Sequence, residues 1–106
     1  MPPVAHYRQG DILLVRIPRR RLAGVARARV HGRVVLAYGE VTGHAHAIDD
    51  AMAELFEERD GALYLRLDGP ATLRHEEHAP IALPEGTYRV VRQREYSPEA
   101  IRPVSD

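Results

Sequence analysis

Short apolar runs separated by turn residues recur along most of the chain. The segment DILLVRI at 11–17 is nearly continuous in apolar residues, which is typical of a buried strand, and RVVLAY at 33–38 predicts a second strand. A turn over residues 40–43 leads into a third strand at about 44–48. Further strands are predicted over residues 52–58, 63–67, 71–75 and 87–96, and residues 79–83, which contain Pro80, are expected to form an edge strand or a bend. This spacing predicts an all-β fold, a single small antiparallel β-barrel or sandwich of about seven short strands.

The segment before residue 60 is ambiguous between helix and strand. Met52–Glu58 contains good helix formers, whereas residues 63–67 place a leucine at every second position. Between them lies Asp60-Gly61, a dipeptide favoured in type I′ hairpin turns, in which both central residues have positive φ. We therefore expect two strands joined by a tight hairpin.

Two other segments lack the strand pattern. Pro18–Val30 is basic and has no clear period, so we predict an arginine-rich loop that is exposed, mobile and away from the histidines. Ser97-Pro98-Glu99 has the cap and the proline of a helix start, and Pro103 limits this helix near the C-terminus to roughly one turn. Because no linker or internal repeat divides the chain, residues 1–106 are expected to form one β domain.

Four of the six histidines lie in two short stretches, GEVTGHAHAI at 39–48 and LRHEEHAPI at 73–81. His44 and His46 are two apart, so in a strand they project from the same face, separated by roughly 6.6 Å. Two imidazoles at that spacing can converge on one ion at about 2.1 Å from each nitrogen. Ile48 shares their parity, which indicates that this face points inward.

The second stretch leaves alternatives open. His75 and His78 are three apart, so a straight strand would place them on opposite faces, while Leu73 shares the parity of His75 and indicates that His75 points inward. His78 joins His75 if a bulge or turn intervenes at Glu76-Glu77; otherwise Glu77 has the inward parity and is itself a candidate ligand. Glu76 and Glu77 are also candidates for holding an imidazole N–H or for acting as a general base toward metal-bound water.

These patterns predict a transition-metal site with His44, His46, His75 and His78 as the metal ligands, and with Glu77 as the alternative to His78. Imidazole and carboxylate ligands suit Zn²⁺, Ni²⁺, Fe²⁺ or Cu²⁺, and the chain has no cysteine to supply a thiolate. If the ion keeps an open position, the protein is a metal-dependent enzyme, hydrolytic or oxidative, that acts on a small-molecule ligand. If protein ligands fill every position, the site is structural or a store.

Histidines spaced as HxH, together with a Pro-x-Gly turn, resemble the motifs of cupins, which are metal-binding β-barrels with ligands that are typically three histidines and a glutamate. Asp50 stands near the position of the glutamate, and Arg89 replaces the histidine expected after Pro84-Glu85-Gly86. The resemblance therefore carries over only His44 and His46. More closely, the whole chain resembles a group of small uncharacterised bacterial proteins that share QGD-x-LL, GEVTGHAH, HEEH-x-PI and QREY, and this resemblance implies no activity.

Charge suggests an alternative function. The net charge is zero, but residues 1–35 carry eight arginines and one acid, whereas residues 36–106 carry seven arginines and fourteen acids. The loop arginines Arg19, Arg20, Arg21, Arg27 and Arg29 would suit a non-enzymatic module that binds nucleic acid or an acidic partner. A second copy of the chain is a further candidate partner. Since the chain contains neither a secretory leader nor an apolar span of about 20 residues, we expect a soluble cytoplasmic protein.

Overall fold

The computed structural model describes residues 6–39 and 42–93. Within these ranges the protein is entirely β, as predicted, with ten strands and no helix. The strands are β1 (His6–Gln9), β2 (Ile12–Ile17), β3 (Val25–Ala26), β4 (Val34–Tyr38), β5 (Ala45–Ile48), β6 (Ala53–Glu57), β7 (Leu63–Leu67), β8 (Ala71–His75), β9 (His78–Leu83) and β10 (Gly86–Arg92). The helical turn expected at Ser97-Pro98-Glu99 lies outside the described residues.

The strands form two antiparallel sheets that pack as a sandwich, so the sandwich alternative is confirmed and the closed barrel is not observed. The larger sheet has the order β1-β2-β10-β7-β6-β3, and the smaller has the order β4-β5-β8-β9. After β5 the chain crosses to the larger sheet for the β6–β7 hairpin and returns for β8 and β9. This crossing places β5 and β8 side by side although 22 residues separate them along the chain.

The core lies between the two sheets because each contributes its apolar face. The larger sheet supplies Ile12, Leu14, Leu55, Leu65, Leu67, Tyr88 and Val90, and the smaller supplies Val34, Leu36, Ile48, Ala71, Leu73 and Leu83. Alternate burial along β2 and β8 follows the alternation of side chains in a strand, with one face in the core and the other toward solvent.

The ambiguous segment before residue 60 forms strand β6, as expected, but the hairpin differs in detail. Glu58 and Ala62 are joined by a backbone hydrogen bond, and the Gly61 N–H donates to the Glu58 carbonyl at 2.8 Å. Gly61 has φ +90°, whereas Asp60 is not at positive φ. The loop thus has three residues and only its glycine is left-handed, so the type I′ expectation was wrong, although the hairpin was right.

Two strands were missed by the sequence patterns. β1 joins β2 through the two-residue turn Gly10-Asp11, in which Gly10 has φ +58° at the position where type II′ turns place glycine. β3 lies inside the predicted loop at 18–30, where Val25 pairs with Glu57 at the open edge of β6. The prediction that residues 18–30 lack strand structure is therefore wrong at Val25–Ala26. The backbone groups at the open edge of β6 pair with these two residues.

The arginines of this segment are exposed, as predicted, but several of them have partners within the protein. Arg27 pairs with the Glu57 carboxylate at 2.9 Å, and Arg20 lies 3.5 Å from Glu58. The Arg29 guanidinium donates to the carbonyls of Asp50 and Ala53 at 2.7 and 2.9 Å. No helix in the described part of the chain is long and apolar enough to cross a membrane.

A core substitution tests the sandwich. Leu65 is 0% exposed and lies in β7 between β10 and β6, so Leu65→Ala leaves a cavity and should lower the free energy of unfolding by about 2–5 kcal/mol. The control Val25→Ala, at a residue that is 75% exposed, should change it by less than about 0.5 kcal/mol. Urea denaturation of both variants measures the difference, and equal effects would contradict the packing described.

Candidate metal centre

A hairpin turn brings His75 and His78 to the same face of the smaller sheet. His75 ends β8 and His78 begins β9, and the two residues pair across the turn formed by Glu76-Glu77. Side chains of residues directly opposite each other in an antiparallel pair project from the same face. Of the two alternatives that the sequence left open, the turn at Glu76-Glu77 is the one observed.

Strand β5 brings His46 to the same place. β5 and β8 are neighbours, with Ala47 opposite Arg74 and Ile48 opposite Leu73. One further step in this register puts His46 opposite His75. The prediction of a shared site required these strands to be adjacent, which no local pattern reveals.

The four imidazole rings are close together, and His75 is their common neighbour. Its ring centroid lies 4.3 Å from that of His46, 4.7 Å from that of His78 and 5.7 Å from that of His44. The His46 and His78 centroids are 6.0 Å apart. An ion bound at about 2.1 Å to imidazole nitrogens holds neighbouring ring centroids roughly 4.5–5.5 Å apart. The ring centroids of His46, His75 and His78 are therefore spaced about as one ion requires, but their nitrogen atoms do not all lie within 4.8 Å of one another, so these rings must turn before they can share an ion.

His44 and the two glutamates lie on the outer side of His75. A nitrogen of His44, a nitrogen of His75 and an oxygen of Glu76 lie within 4.8 Å of one another, so among the described residues this is the group whose ligand atoms are already close enough for one ion. Glu76, however, already accepts the Ala45 N–H at 2.9 Å, a hydrogen bond that lowers the pKa of its carboxyl group. Glu76 is exposed, as is His78, whereas His46 is buried.

Glu77 lies beside His44 and not among the three central rings. Its carboxylate is 3.3 Å from the His44 Nδ1, and its backbone N–H donates to the His75 Nδ1 at 3.0 Å. Of the two residues that the sequence offered as a fourth ligand, His78 has its ring beside those of His46 and His75, whereas Glu77 lies beside His44. Asp50, which the cupin resemblance aligned with a ligand, instead accepts the Thr72 N–H at 3.2 Å.

Gln9, which sequence reasoning missed, fixes the protonation of His46. The Gln9 side chain is buried, and its Nε2 donates to the carbonyls of Leu73 and Ala79 at 3.1 and 3.0 Å. Its Oε1 must then face the His46 Nδ1, at 2.9 Å, and a carbonyl oxygen can only accept. His46 consequently carries its proton on Nδ1, which leaves the Nε2 lone pair free.

Asp11 and Gly10 complete the surroundings of the cluster. An oxygen of Asp11 lies 3.4 Å from the His46 Nε2, and its other oxygen accepts from Arg92 at 2.9 Å. Burial raises the pKa of Asp11, but the hydrogen bond and charge of Arg92 outweigh burial, so that the pKa lies below its ordinary value. At Gly10 a Cβ would lie 2.7 Å from the His78 Nε2, so a side chain there would displace that ring. The hairpin dipeptide Gly10-Asp11 was the sequence signal that could have found this part of the site.

His46 is held in its neutral form. It is only 2% exposed, and burial is the main cause that lowers its pKa from 6.5 to about 4. Positive charge on His75 adds to the shift, and the carboxylate of Asp11 opposes it. A neutral imidazole with a free Nε2 lone pair is the form that binds a metal ion.

Comparison with known proteins identifies the family. The family model of DUF8820, a domain of unknown function, matches residues 8–93. The chain belongs to the DUF8820 family. The matched DUF8820 range contains Gln9, Asp11 and the four clustered histidines, so the whole candidate site lies inside the family domain. No curated protein and no solved structure matches the chain, and the resemblance to cupins gains no support from these comparisons.

The burial of His46 predicts a dependence of stability on pH in metal-free protein. Between pH 6.5 and about 4 the unfolded chain binds a proton at this position and the folded protein does not, so the free energy of unfolding should fall as pH drops through that window. Across this window, His46 should lower the free energy of unfolding by about 3 kcal/mol in total. Urea denaturation in the presence of a chelator, compared with His46→Leu, isolates this contribution. A wild-type stability that changes with pH no more than that of the variant would contradict the prediction.

Proposed function

We propose that this protein binds a divalent transition ion, with His46, His75 and His78 as its central ligands and His44 next to them. The observation that carries the proposal is the triangle of three imidazole rings, with centroids 4.3, 4.7 and 6.0 Å apart, which includes a buried ring whose Nε2 lone pair is free. Zn²⁺, Ni²⁺, Fe²⁺ and Cu²⁺ all suit imidazole ligands.

The surroundings of the cluster favour an ion that keeps an open position. His46 is buried and His75 is half-buried, whereas His78 is exposed. An ion held by these three rings therefore borders the core on one side and solvent on the other. Such an ion would make a bound water acidic enough to act as a nucleophile near neutral pH. This favours hydrolytic chemistry on a small molecule over a purely structural ion.

Ligation by His75 has a specific requirement. Its Nδ1 accepts the Glu77 N–H, so in the neutral ring the proton lies on Nε2. An ion that binds at Nδ1 replaces the Glu77 contact, and an ion that binds at Nε2 moves the proton to Nδ1 and breaks the same contact. Either way the Glu77 N–H loses its acceptor when the ion binds.

Metal analysis of untagged protein tests the proposal. Wild-type protein should bind one ion per chain, and His46→Ala, His75→Ala and His78→Ala should each abolish stoichiometric binding because each removes a ligand. His31→Asn is the matched control, since His31 is exposed at φ +52°, a conformation that asparagine tolerates. Mass spectrometry of the metal content, after dialysis against each ion, gives the stoichiometry.

The amide of Glu77 provides an independent measurement. Its ¹H–¹⁵N resonance should shift strongly when Zn²⁺ is added, while the amide of Asp60 in the β6–β7 turn should not. Stoichiometric binding without a change at Glu77 would exclude His75 as a ligand, and absence of binding in wild type would refute the proposal.

Gln9 should tune the affinity without being a ligand. Gln9→Met removes the acceptor for the His46 Nδ1–H, so the ring loses the partner that fixes its tautomer and orientation. Such losses typically weaken metal binding by roughly 10- to 100-fold. Calorimetric titration with Zn²⁺ measures the change, and thermal unfolding of the metal-free variant separates it from a loss of folded protein. Unchanged affinity in a folded variant would show that the Gln9 contact is irrelevant to the site.

The alternative function, binding of nucleic acid by the loop at 18–30, has weaker support. Arg27 and Arg29 are bound to a carboxylate and to backbone carbonyls, so they are less available for phosphate. β3 within this segment lies at the edge of the larger sheet opposite β1, away from the histidines. Binding of DNA that weakens steeply with salt and survives removal of metal would favour this alternative.

A further inference from the structure

A groove lies on the outer face of the smaller sheet, on the side away from the core. Its floor is formed by Ala45 and Ala47, which alternate along β5 with the inward-facing His46 and Ile48. Both alanines are only 1% and 2% exposed, although they lie on the outer face, because longer side chains line the groove around them. We call this feature, which has a volume of about 300 Å³, the alanine groove.

One end of the alanine groove carries a surplus of positive charge. Arg74 lines this end, and its Nε is 3.9 Å from the Asp49 carboxylate in a pair whose side chains are both more than half exposed. On the other side of β5, the register of β4 and β5 continued by one residue beyond Val34 brings Arg33 opposite Asp49. Two guanidinium groups therefore flank a single carboxylate, which leaves one net positive charge at this end.

The other end of the alanine groove meets the histidine cluster, since His75 and Glu76 line it there. The ring of His75 is the neighbour of the His46 and His78 rings. His75 also belongs to the group, with His44 and Glu76, whose ligand atoms lie within 4.8 Å of one another. An ion bound through His75 in either group would therefore lie next to the groove.

The distance between the two ends limits the size of a ligand. Asp49 is three residues along β5 from His46, which the continued register of β5 and β8 places opposite His75, and three residues span roughly 10 Å. Between the ends, Ala45 and Ala47 present methyl groups only. A short aliphatic chain with an anionic group at one end fits these dimensions and this distribution of charge.

We propose that the alanine groove binds a small aliphatic carboxylate, with the carboxylate held by Arg33 and Arg74 and the remote end of the molecule beside His75. The planar guanidinium of arginine matches the two oxygens of a carboxylate. A surplus of one positive charge suits a carboxylate better than a phosphate monoester, which carries about −1.5 to −2 near neutral pH. This inference rests on the proposed function, because it makes the carboxylate the substrate of the bound ion.

Titration of ¹⁵N-labelled, metal-free protein with hexanoate tests the groove. Hexanoate should shift the amide resonances of Ala45, Ala47 and Arg74, whereas hexanol, which has the same chain without the charge, should not. Arg33→Gln and Arg74→Gln should each weaken hexanoate binding by roughly 10-fold or more, because each removes charge-assisted hydrogen bonds. Ala47→Leu fills the groove without a change of charge and should abolish the shifts.

The matched control is Arg89→Gln. Arg89 is an exposed arginine of β10 in the larger sheet, so its substitution removes the same charge outside the groove and should leave hexanoate binding unchanged. Thermal unfolding shows whether each variant is folded. If Ala47→Leu does not fold, the two arginine variants decide, because their side chains lie at the surface of the groove.

One equivalent of paramagnetic Cu²⁺ tests the orientation of the ligand and separates the two proposals. An ion at the histidines should broaden the methyl resonance of bound hexanoate more than the protons beside its carboxylate, and the opposite order would overturn the proposed orientation. Shifts that are absent in metal-free protein, or that persist unchanged in both arginine variants, would overturn the carboxylate site alone. Wild-type protein that binds no Cu²⁺ would refute the proposed function, whereas the titration of metal-free protein still decides whether the groove binds a carboxylate.

Discussion

The buried side-chain amide of Gln9 is the interaction on which the candidate site depends. It is only 3% exposed, and all three of its hydrogen bonds cross between segments far apart in sequence, to Leu73, Ala79 and His46. An amide buried without partners costs a few kcal/mol, so a well-satisfied one fixes the arrangement around it strongly. Because two carbonyls take both N–H groups, the orientation of the amide is determined, and with it the tautomer of His46.

This one constraint joins the two sheets. Gln9 ends β1 at the edge of the larger sheet, whereas Leu73 and Ala79 lie in β8 and β9 of the smaller sheet. β9 is itself an edge strand and contains Pro80, which cannot donate to a neighbouring strand. The amide of Gln9 therefore connects the edge strand β1 to the smaller sheet at a place where the two sheets are not paired by regular backbone hydrogen bonds. The clustered histidines lie beside this connection.

The sequence predicted the individual strands and turns better than the order of the strands in the two sheets. Period-two alternation over 63–67 and the Asp60-Gly61 turn located β6 and β7 because both signals act within a few residues. The faces of His46 and His75 also followed from parity with Ile48 and Leu73. What parity cannot supply is sheet order, and the adjacency of β5 and β8 depends on a chain crossing between sheets. Gln9 and Asp11 were missed for the same reason, since the partners of their side chains lie 35 or more residues away.

The position of the cluster implies a coupling between an ion and the fold. The histidines lie at β5 and at the β8–β9 hairpin of the smaller sheet, and Gln9 and Asp11 of the larger sheet contact His46, so an ion bound there would lie where the two sheets meet. Without an ion, the same region holds a buried neutral imidazole that faces a carboxylate, an arrangement that packing and Gln9 must maintain against repulsion. A ligand that binds only the folded state stabilises it in proportion to the logarithm of its concentration over its dissociation constant. An ion that accepted the lone pair of the His46 Nε2 would remove this repulsion, and the free energy so released would add to the affinity of the site for that ion.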